Sequence, residues 1–144
     1  MNRVLIVGLM PSDRLPTTYP PLAGSRSGDR LARMLNLTSS WDLQVVADLV
    51  NLLDLPQEVR TVKVSQLAEA AARLLPLDHE VTVALGSQVA RALGHRLKPV
   101  SWSADRKVLC IPHPSGRSYV WNQQTIRNET QRALNQAFYD VRTG

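Results

Sequence analysis

Short apolar segments alternate with stretches of helical periodicity along this sequence, and their order restricts the possible folds more than any other feature. The segments predicted as buried strands are 3–7, 43–49, 80–85 and 107–111. The stretches predicted as helices are 28–36, 65–75, 88–93 and 122–141. Strands that alternate with helices form a parallel sheet whose two faces are covered by those helices. The sequence therefore predicts an α/β fold.

Length and composition fit one such domain. The chain has 144 residues, of which 44% are hydrophobic, and no repeat or linker divides it, so we expect a single domain over 1–144. Its apolar runs, such as 4–7, are far shorter than the roughly 20 residues of a membrane-spanning helix. Cys110 is the one cysteine, which excludes an internal disulfide and a four-thiolate iron–sulfur cluster. We expect a monomeric cytoplasmic protein without metal or cofactor.

The formal net charge of +5 comes mostly from arginine, because only Lys63, Lys98 and Lys107 are lysines. The planar guanidinium suits bidentate contact with phosphate, so the composition favours a nucleic-acid partner. The alternative is a solvated surface whose arginines reflect codon usage in a GC-rich genome. Composition alone leaves both interpretations open.

Ligands of open parallel sheets bind outside the carboxyl ends of the strands. Three unusual segments are predicted at those ends: the loop after Gly8, the region of Ala47 and Asp48, and the segment 113–116. Their convergence predicts a binding pocket at this end of the sheet.

The loop after the first strand is rich in glycine and proline over 8–12 and 21–29. These residues fix a rigid loop whose backbone amides can approach a ligand closely. Ser27 and Gly28 also open a helix, and helix N-termini attract phosphate. The spacings GxxxxGK[ST] and GxGxxG are both missing, so the segment is not a standard phosphate loop. A plain structural loop is the alternative.

The segment 113–117 carries a histidine that leaves a core strand between two prolines. Neutral imidazole in such a stiff, exposed turn can donate a hydrogen bond to a developing anion. Ser115 and the backbone amides that follow it, including that of Gly116, can hold a phosphate, and Arg117 adds charge. The alternative is that His113 only caps the end of the strand.

Together these segments resemble the signature motifs of the uracil-DNA glycosylase superfamily, in the same order along the chain. The stretch 8–12 resembles the first motif, and it is most similar to the family 4 and family 5 branches, without their iron–sulfur cysteines. The stretch 21–29 resembles the Pro-Phe-x-Gly-x-x-Ser-Gly-Asp block that follows it. The turn 83–87 resembles the Leu-Gly turn from strand to helix, and 113–115 matches the second motif.

This resemblance implies a three-layer α/β/α fold with a four-stranded parallel sheet. It also implies cleavage of the N-glycosidic bond of a base that is flipped out of DNA. In the family, the histidine of the second motif stabilises the anionic leaving base, and a polar residue of the first motif often positions water. The resemblance therefore assigns the anion-stabilising role to His113.

The first motif departs from the family pattern at the positions that position water. Leu9 and Met10 occupy these positions, and neither side chain can hold a water molecule. Asp13 is the only carboxylate of the loop and is the candidate substitute.

The positions that contact the base also differ from the family pattern. Leu22 stands where an aromatic residue usually stacks on the base, and Tyr19 lies nearby in the sequence. Asp48 is aligned with the asparagine of the second strand that reads uracil, although Asn51 follows three residues later. An ionised aspartate only accepts hydrogen bonds, so Asp48 predicts a preference for bases with an amino group or better uracil processing at acidic pH.

These observations predict a DNA glycosylase that acts on a uracil-like or modified base, with His113 as the electrophile and Asp13 or Asp48 handling water or base. The predicted contacts to base and DNA are Gly8, Met10, Pro11, Ser12, Tyr19, Leu22, Arg26, Ser27, Asn51, Ser115, Gly116 and Arg117. The partner is single- or double-stranded DNA or a nucleotide. Two alternatives stay open: a non-catalytic module that binds bases in the same pocket, and base release from nucleotides that are not part of DNA.

Three further residues are predicted to have structural positions. Trp121 is expected to be partly buried and to anchor the last helix, and the alternative is a residue that intercalates or stacks on a base. Cys110 is expected to be a core thiol. His79, at the end of an element, is expected on the surface.

Overall fold

The computed structural model describes residues 2–12, 14–16, 18–56, 61–74, 76–114 and 119–139. Within these ranges the strands are β1 (Val4–Gly8), β2 (Asp48–Asn51), β3 (Val81–Leu85), β4 (Ser101–Trp102) and β5 (Val108–Ile111). The helices are α1 (Arg26–Met34), α2 (Leu43–Val46), α3 (Val64–Ala72), α4 (Ser87–Ala92) and α5 (Gln124–Tyr139). Short 3-10 helices lie at Ser40–Asp42 and Tyr119–Asn122. None of the helices in the described ranges has the length and apolar character needed to span a bilayer.

The strands form one sheet in the order β2-β1-β3-β5-β4. The first four strands of this order are parallel to their neighbours, and the two-residue β4 pairs antiparallel with β5. The predicted α/β fold with a parallel sheet is therefore confirmed, and the sheet has one strand more than the four expected. The additional strand covers the edge that β5 would otherwise expose.

Hydrophobic side chains pack on both faces of the sheet, which explains why the strands read as unbroken apolar runs. Val4 and Ile6 of β1 join one core with α1 and α5, whereas Leu5 and Val7 join a second core with α3 and α4. Cys110 belongs to the second core, and burial raises the pKa of its thiol to about 11. The prediction of a core thiol is confirmed.

The second strand is the largest difference from the predicted elements, because 43–49 does not form a strand. Leu43–Val46 is the helix α2, and β2 begins only at Asp48. The turn before it explains the helix: Ser39 donates its backbone N–H to the Asp42 carboxylate at 3.2 Å, and the Asp42 N–H returns to the Ser39 carbonyl at 3.1 Å. This start of a helical turn outweighs the strand propensity of the β-branched side chain of Val45, which is 71% exposed.

Candidate functional site

Gly8 and Asn51 are register partners at the carboxyl ends of the adjacent strands β1 and β2. Pairing continues beyond the strands, since the Leu52 N–H donates to the Gly8 carbonyl and the Leu53 N–H to the Leu9 carbonyl, both at 2.9 Å. A Cβ atom at position 8 would lie 2.7 Å from Oδ1 of Asn51, so the carboxamide lies over the glycine. Only glycine, which has no Cβ, leaves room for the Asn51 carboxamide at the end of β1. Among the described residues, no hydrogen-bond partner is found for this carboxamide.

His113 follows β5 at the same edge of the sheet, between the buried residues Pro112 and Pro114. A Cβ atom at Gly86, just after β3, would lie 3.6 Å from the His113 Cβ. The imidazole has exposed surface, yet the protein packed around the ring is dense enough for burial to lower its pKa below the ordinary 6.5. His113 is therefore neutral at pH 7 and reachable from solvent.

Trp121 is hydrogen-bonded to the backbone of His113. Its indole Nε1 donates to the His113 carbonyl at 2.7 Å, and the tryptophan is only 3% exposed. Arg127 in turn donates to the Trp121 carbonyl at 2.7 Å, and the Arg30 guanidinium lies 5.1 Å from the centre of the indole ring. The predicted anchoring position of Trp121 is confirmed, whereas its bond to His113 has no signal in the sequence.

The loop that resembles the superfamily block over 21–29 is held against α1. Ser25 accepts a hydrogen bond from the Gly28 N–H at 2.9 Å as the helix cap, and donates its hydroxyl to the Leu22 carbonyl at 2.7 Å. A Cβ atom at position 28 would lie 2.0 Å from that carbonyl oxygen, so the close approach requires glycine. Leu22 has a positive φ of 69°, an unfavourable value for leucine that these contacts maintain.

The family model of the uracil DNA glycosylase superfamily matches residues 1–141. The chain belongs to this superfamily. No curated protein sequence matches the chain as a relative. Membership covers nearly the whole length and supports a DNA glycosylase-like function in general.

The residues aligned with the first superfamily motif lie directly after β1. Leu9 and Met10 are partly buried and pack against the second core. Pro11 and Ser12 are half-buried, and the Ser12 hydroxyl accepts a hydrogen bond from the Arg14 N–H at 3.2 Å. The apolar packing of the first two residues agrees with the absence of a water-positioning side chain in those slots.

The predicted stacking residues have different environments. Leu22 is partly buried and packs against the first core, so its side chain contributes to the loop anchor. Tyr19 is 39% exposed, and its ring meets that of Trp41 edge-on with a centroid distance of 4.9 Å. Arg26 and Ser27 form the first turn of α1, where the arginine is exposed and the serine half-buried.

Four of the predicted site residues, Asp13, Ser115, Gly116 and Arg117, lie outside the described residues. Their roles stay predictions. In the part of the chain that the structure describes, no group of three His, Cys, Asp or Glu side chains is arranged to hold a metal ion.

Asp48 is not at the carboxyl edge, so its predicted position is wrong. It begins β2 rather than ending a strand, because the preceding residues form α2, and its register partner is Leu5 whereas that of Asn51 is Gly8. Oδ2 of Asp48 lies 2.6 Å from Nε2 of His79, and Oδ1 accepts a hydrogen bond from Nδ2 of Asn2 at 3.1 Å. These bonds, that of His79 first, hold the pKa of the Asp48 carboxyl below its usual 3.8. The side chain of His79 is only 2% exposed, so its predicted surface position is also wrong.

Proposed function

We propose that this chain is a DNA glycosylase that cleaves the N-glycosidic bond of a uracil-like or modified pyrimidine flipped out of DNA. One observation carries the proposal: the Asn51 carboxamide lies over the end of β1, two strand positions from β5, at the end of which His113 lies. Two strand spacings are about 10 Å. A flat heterocycle with a hydrogen bond of about 2.9 Å at each edge fits that width.

The two side chains supply complementary chemistry. The Asn51 carboxamide both donates and accepts hydrogen bonds, so it matches the carbonyl and N–H edge of a uracil-like base. When the bond from C1′ to the base nitrogen breaks, the electron pair leaves with the base. The neutral His113 imidazole donates a hydrogen bond to the base oxygen on which that charge develops.

The cleavage is completed at the sugar, where a water molecule adds to the cationic C1′ and releases a proton. Leu9 and Met10 cannot hold this water, because both side chains are apolar and pack against the second core. Asp13 is the candidate that accepts the proton. Because the sugar is already electron-deficient when water arrives, modest orientation of that water is sufficient.

A non-catalytic module that binds a base in the same pocket is the second candidate, and the apolar residues of the first motif favour it. The third candidate, base release from single nucleotides, shares the pocket with both.

One experiment separates the three candidates. Oligonucleotides that each carry one altered base, and the corresponding single nucleotides, are incubated with the wild type and with His113→Ala. Alkali then cleaves any abasic site in the oligonucleotides, and base released from the nucleotides is measured directly. Base release that depends on His113 is expected. Binding of the same oligonucleotides without release supports the module, and release from nucleotides alone supports the third candidate.

A further inference from the structure

A basic cleft runs beside the candidate site along α4 and the loop that follows it. The cleft has a volume of about 680 Å³ and is lined mainly by Ser87, Arg91, His95, Arg96, Leu97 and Lys98. The chain turns back after α4, where the His95 N–H donates to the Ala90 carbonyl at 2.9 Å. This turn brings Arg96 and Lys98 to the same cleft as Arg91 of the helix.

The cleft begins at the candidate site. Ser87, one of its lining residues, directly follows Gly86. Gly86 is the residue whose Cβ atom would lie 3.6 Å from that of His113. A polymer whose reacting nucleotide lies beside His113 can therefore reach the cleft at Ser87.

In the part of the chain that the structure describes, no carboxylate neutralises the positive charge of the cleft. Arg91, Arg96 and Lys98 are exposed, and within the described ranges none of them has a salt-bridge partner. No Asp or Glu is among the described residues that line the cleft. Asp105 interacts electrostatically with His95, but its carboxylate accepts hydrogen bonds from the Ser103 hydroxyl at 2.6 Å and the Lys107 N–H at 3.1 Å.

We propose that this cleft binds the phosphodiester backbone of the substrate strand on one side of the target nucleotide. The inference rests on the proposed function in taking nucleic acid as the ligand. The described residues that line the cleft include three flexible cations and no aromatic side chain, a set that suits phosphate oxygens rather than bases. Because the cleft adjoins the candidate site at Ser87, we expect the contact to fall on a single flank of the target.

A charge-matched pair of variants tests this assignment. The cleft variant R91Q/R96Q/K98Q removes three charges, and the control R33Q/R73Q/R132Q removes three exposed charges outside the cleft. Both are compared with wild type for binding to single-stranded oligonucleotides with one deoxyuridine, extended either only 5′ or only 3′ of it.

The cleft variant should lose on the order of tenfold in affinity for one of the two series and little for the other. For the sensitive series, the slope of log affinity against log salt should fall in magnitude by about two, as expected for three contacts to a single strand. The control variant should retain most of its affinity for both series.

An unchanged affinity, an equal loss in both series, or a loss no larger than that of the control would overturn the inference, as would a wild type that binds neither series. Base release from the same oligonucleotides at saturation is recorded separately. If wild type releases base and the cleft variant binds as tightly as wild type, only the cleft assignment is contradicted. If the cleft variant binds more weakly than wild type but wild type releases no base, only the proposed glycosylase activity is contradicted.

Discussion

The two ends of the parallel sheet each carry a histidine and a polar side chain of β2, but they use them differently. At the amino end, His79 and Asp48 contact each other at 2.6 Å and Asn2 adds a further bond to the carboxylate. At the carboxyl end, Asn51 lies over Gly8 and His113 remains exposed. The same residue types therefore tie the chain together at one end and stay accessible to a ligand at the other.

Removal of each histidine in turn should have the largest and most different effects at the two ends. We expect His113→Ala to reduce base release by about 10²–10³-fold, the usual effect of losing one donor to a developing anion. Its fold should persist, because the side chain is exposed. His79→Gln should instead lower the melting temperature and leave the rate per folded molecule unchanged. Similar rates of base release for the two variants would erase the functional difference between the ends.

Trp121→Phe tests whether His113 depends on its backbone support. The change keeps a buried ring but removes the N–H that donates to the His113 carbonyl. The buried hydrogen bond is worth about 1 kcal/mol, so we expect about a fivefold loss in kcat. KM should change little, and the NMR titration of the His113 ring should shift.

Trp102→Phe is the matched control, since it removes an indole N–H from β4 without altering any described contact to His113. An equal loss of kcat in this variant, or an unshifted His113 titration in Trp121→Phe, would limit Trp121 to a role in stability.

Gly8→Ala tests whether the position of the Asn51 carboxamide depends on the glycine beneath it. The new Cβ would lie 2.7 Å from Oδ1 of Asn51, so the carboxamide must move while the backbone stays in place. We expect a several-fold loss in kcat/KM with little change in stability. In an Asn51→Ala background the same substitution should have no further effect, because the group that it displaces is absent. Additive losses would show that Gly8 acts through something else.

Asp48→Asn has the smallest expected effect on catalysis, because its side chain lies at the amino end of the sheet. Base preference on uracil- and cytosine-containing oligonucleotides should match wild type. A base preference of Asp48→Asn that differs from wild type would show that Asp48 contacts the base.

The same substitution should change how stability depends on pH. The folded pKa of Asp48 is held below 3.8, mainly by the bond to His79, so the unfolded chain binds more protons just below that pH. The stabilisation is complete above about pH 5 and is lost as pH falls through the folded pKa. Melting temperatures measured across this range should decrease more steeply in wild type than in Asp48→Asn.

The sequence predicts well those strands whose side chains are buried on both faces. β1, β3 and β5 are short runs of apolar residues, and the sheet that covers both their faces makes that pattern sufficient. β4 has two residues, too few to show any periodicity. β2 begins later than predicted because the turn at Ser39 and Asp42 starts a helix in the preceding segment, although the valines of that segment favour a strand.

The predicted positions of Gly8 and His113 at strand ends are confirmed, because there a motif and a strand end coincide. The predicted bounds of the second strand, 43–49, were wrong, and they favoured Asp48 as the residue at its carboxyl end. The register of the sheet instead places Asn51 beside Gly8. Two features depend on tertiary packing alone: the Trp121 bond to His113 and the meeting of Arg91 with Arg96 and Lys98. Neither has a spacing that could be recognised in the chain.

The brevity of β4 bears on how this protein behaves at high concentration. Without it, the backbone of the wholly buried strand β5 would offer unpaired N–H and C=O groups to any other chain. With it, the outermost strand on that side is only Ser101–Trp102, and the Arg106 guanidinium lies 4.8 Å from the centre of the Trp102 ring. Two residues with a cation above them are a poor template for intermolecular β-pairing, so this edge of the sheet resists aggregation.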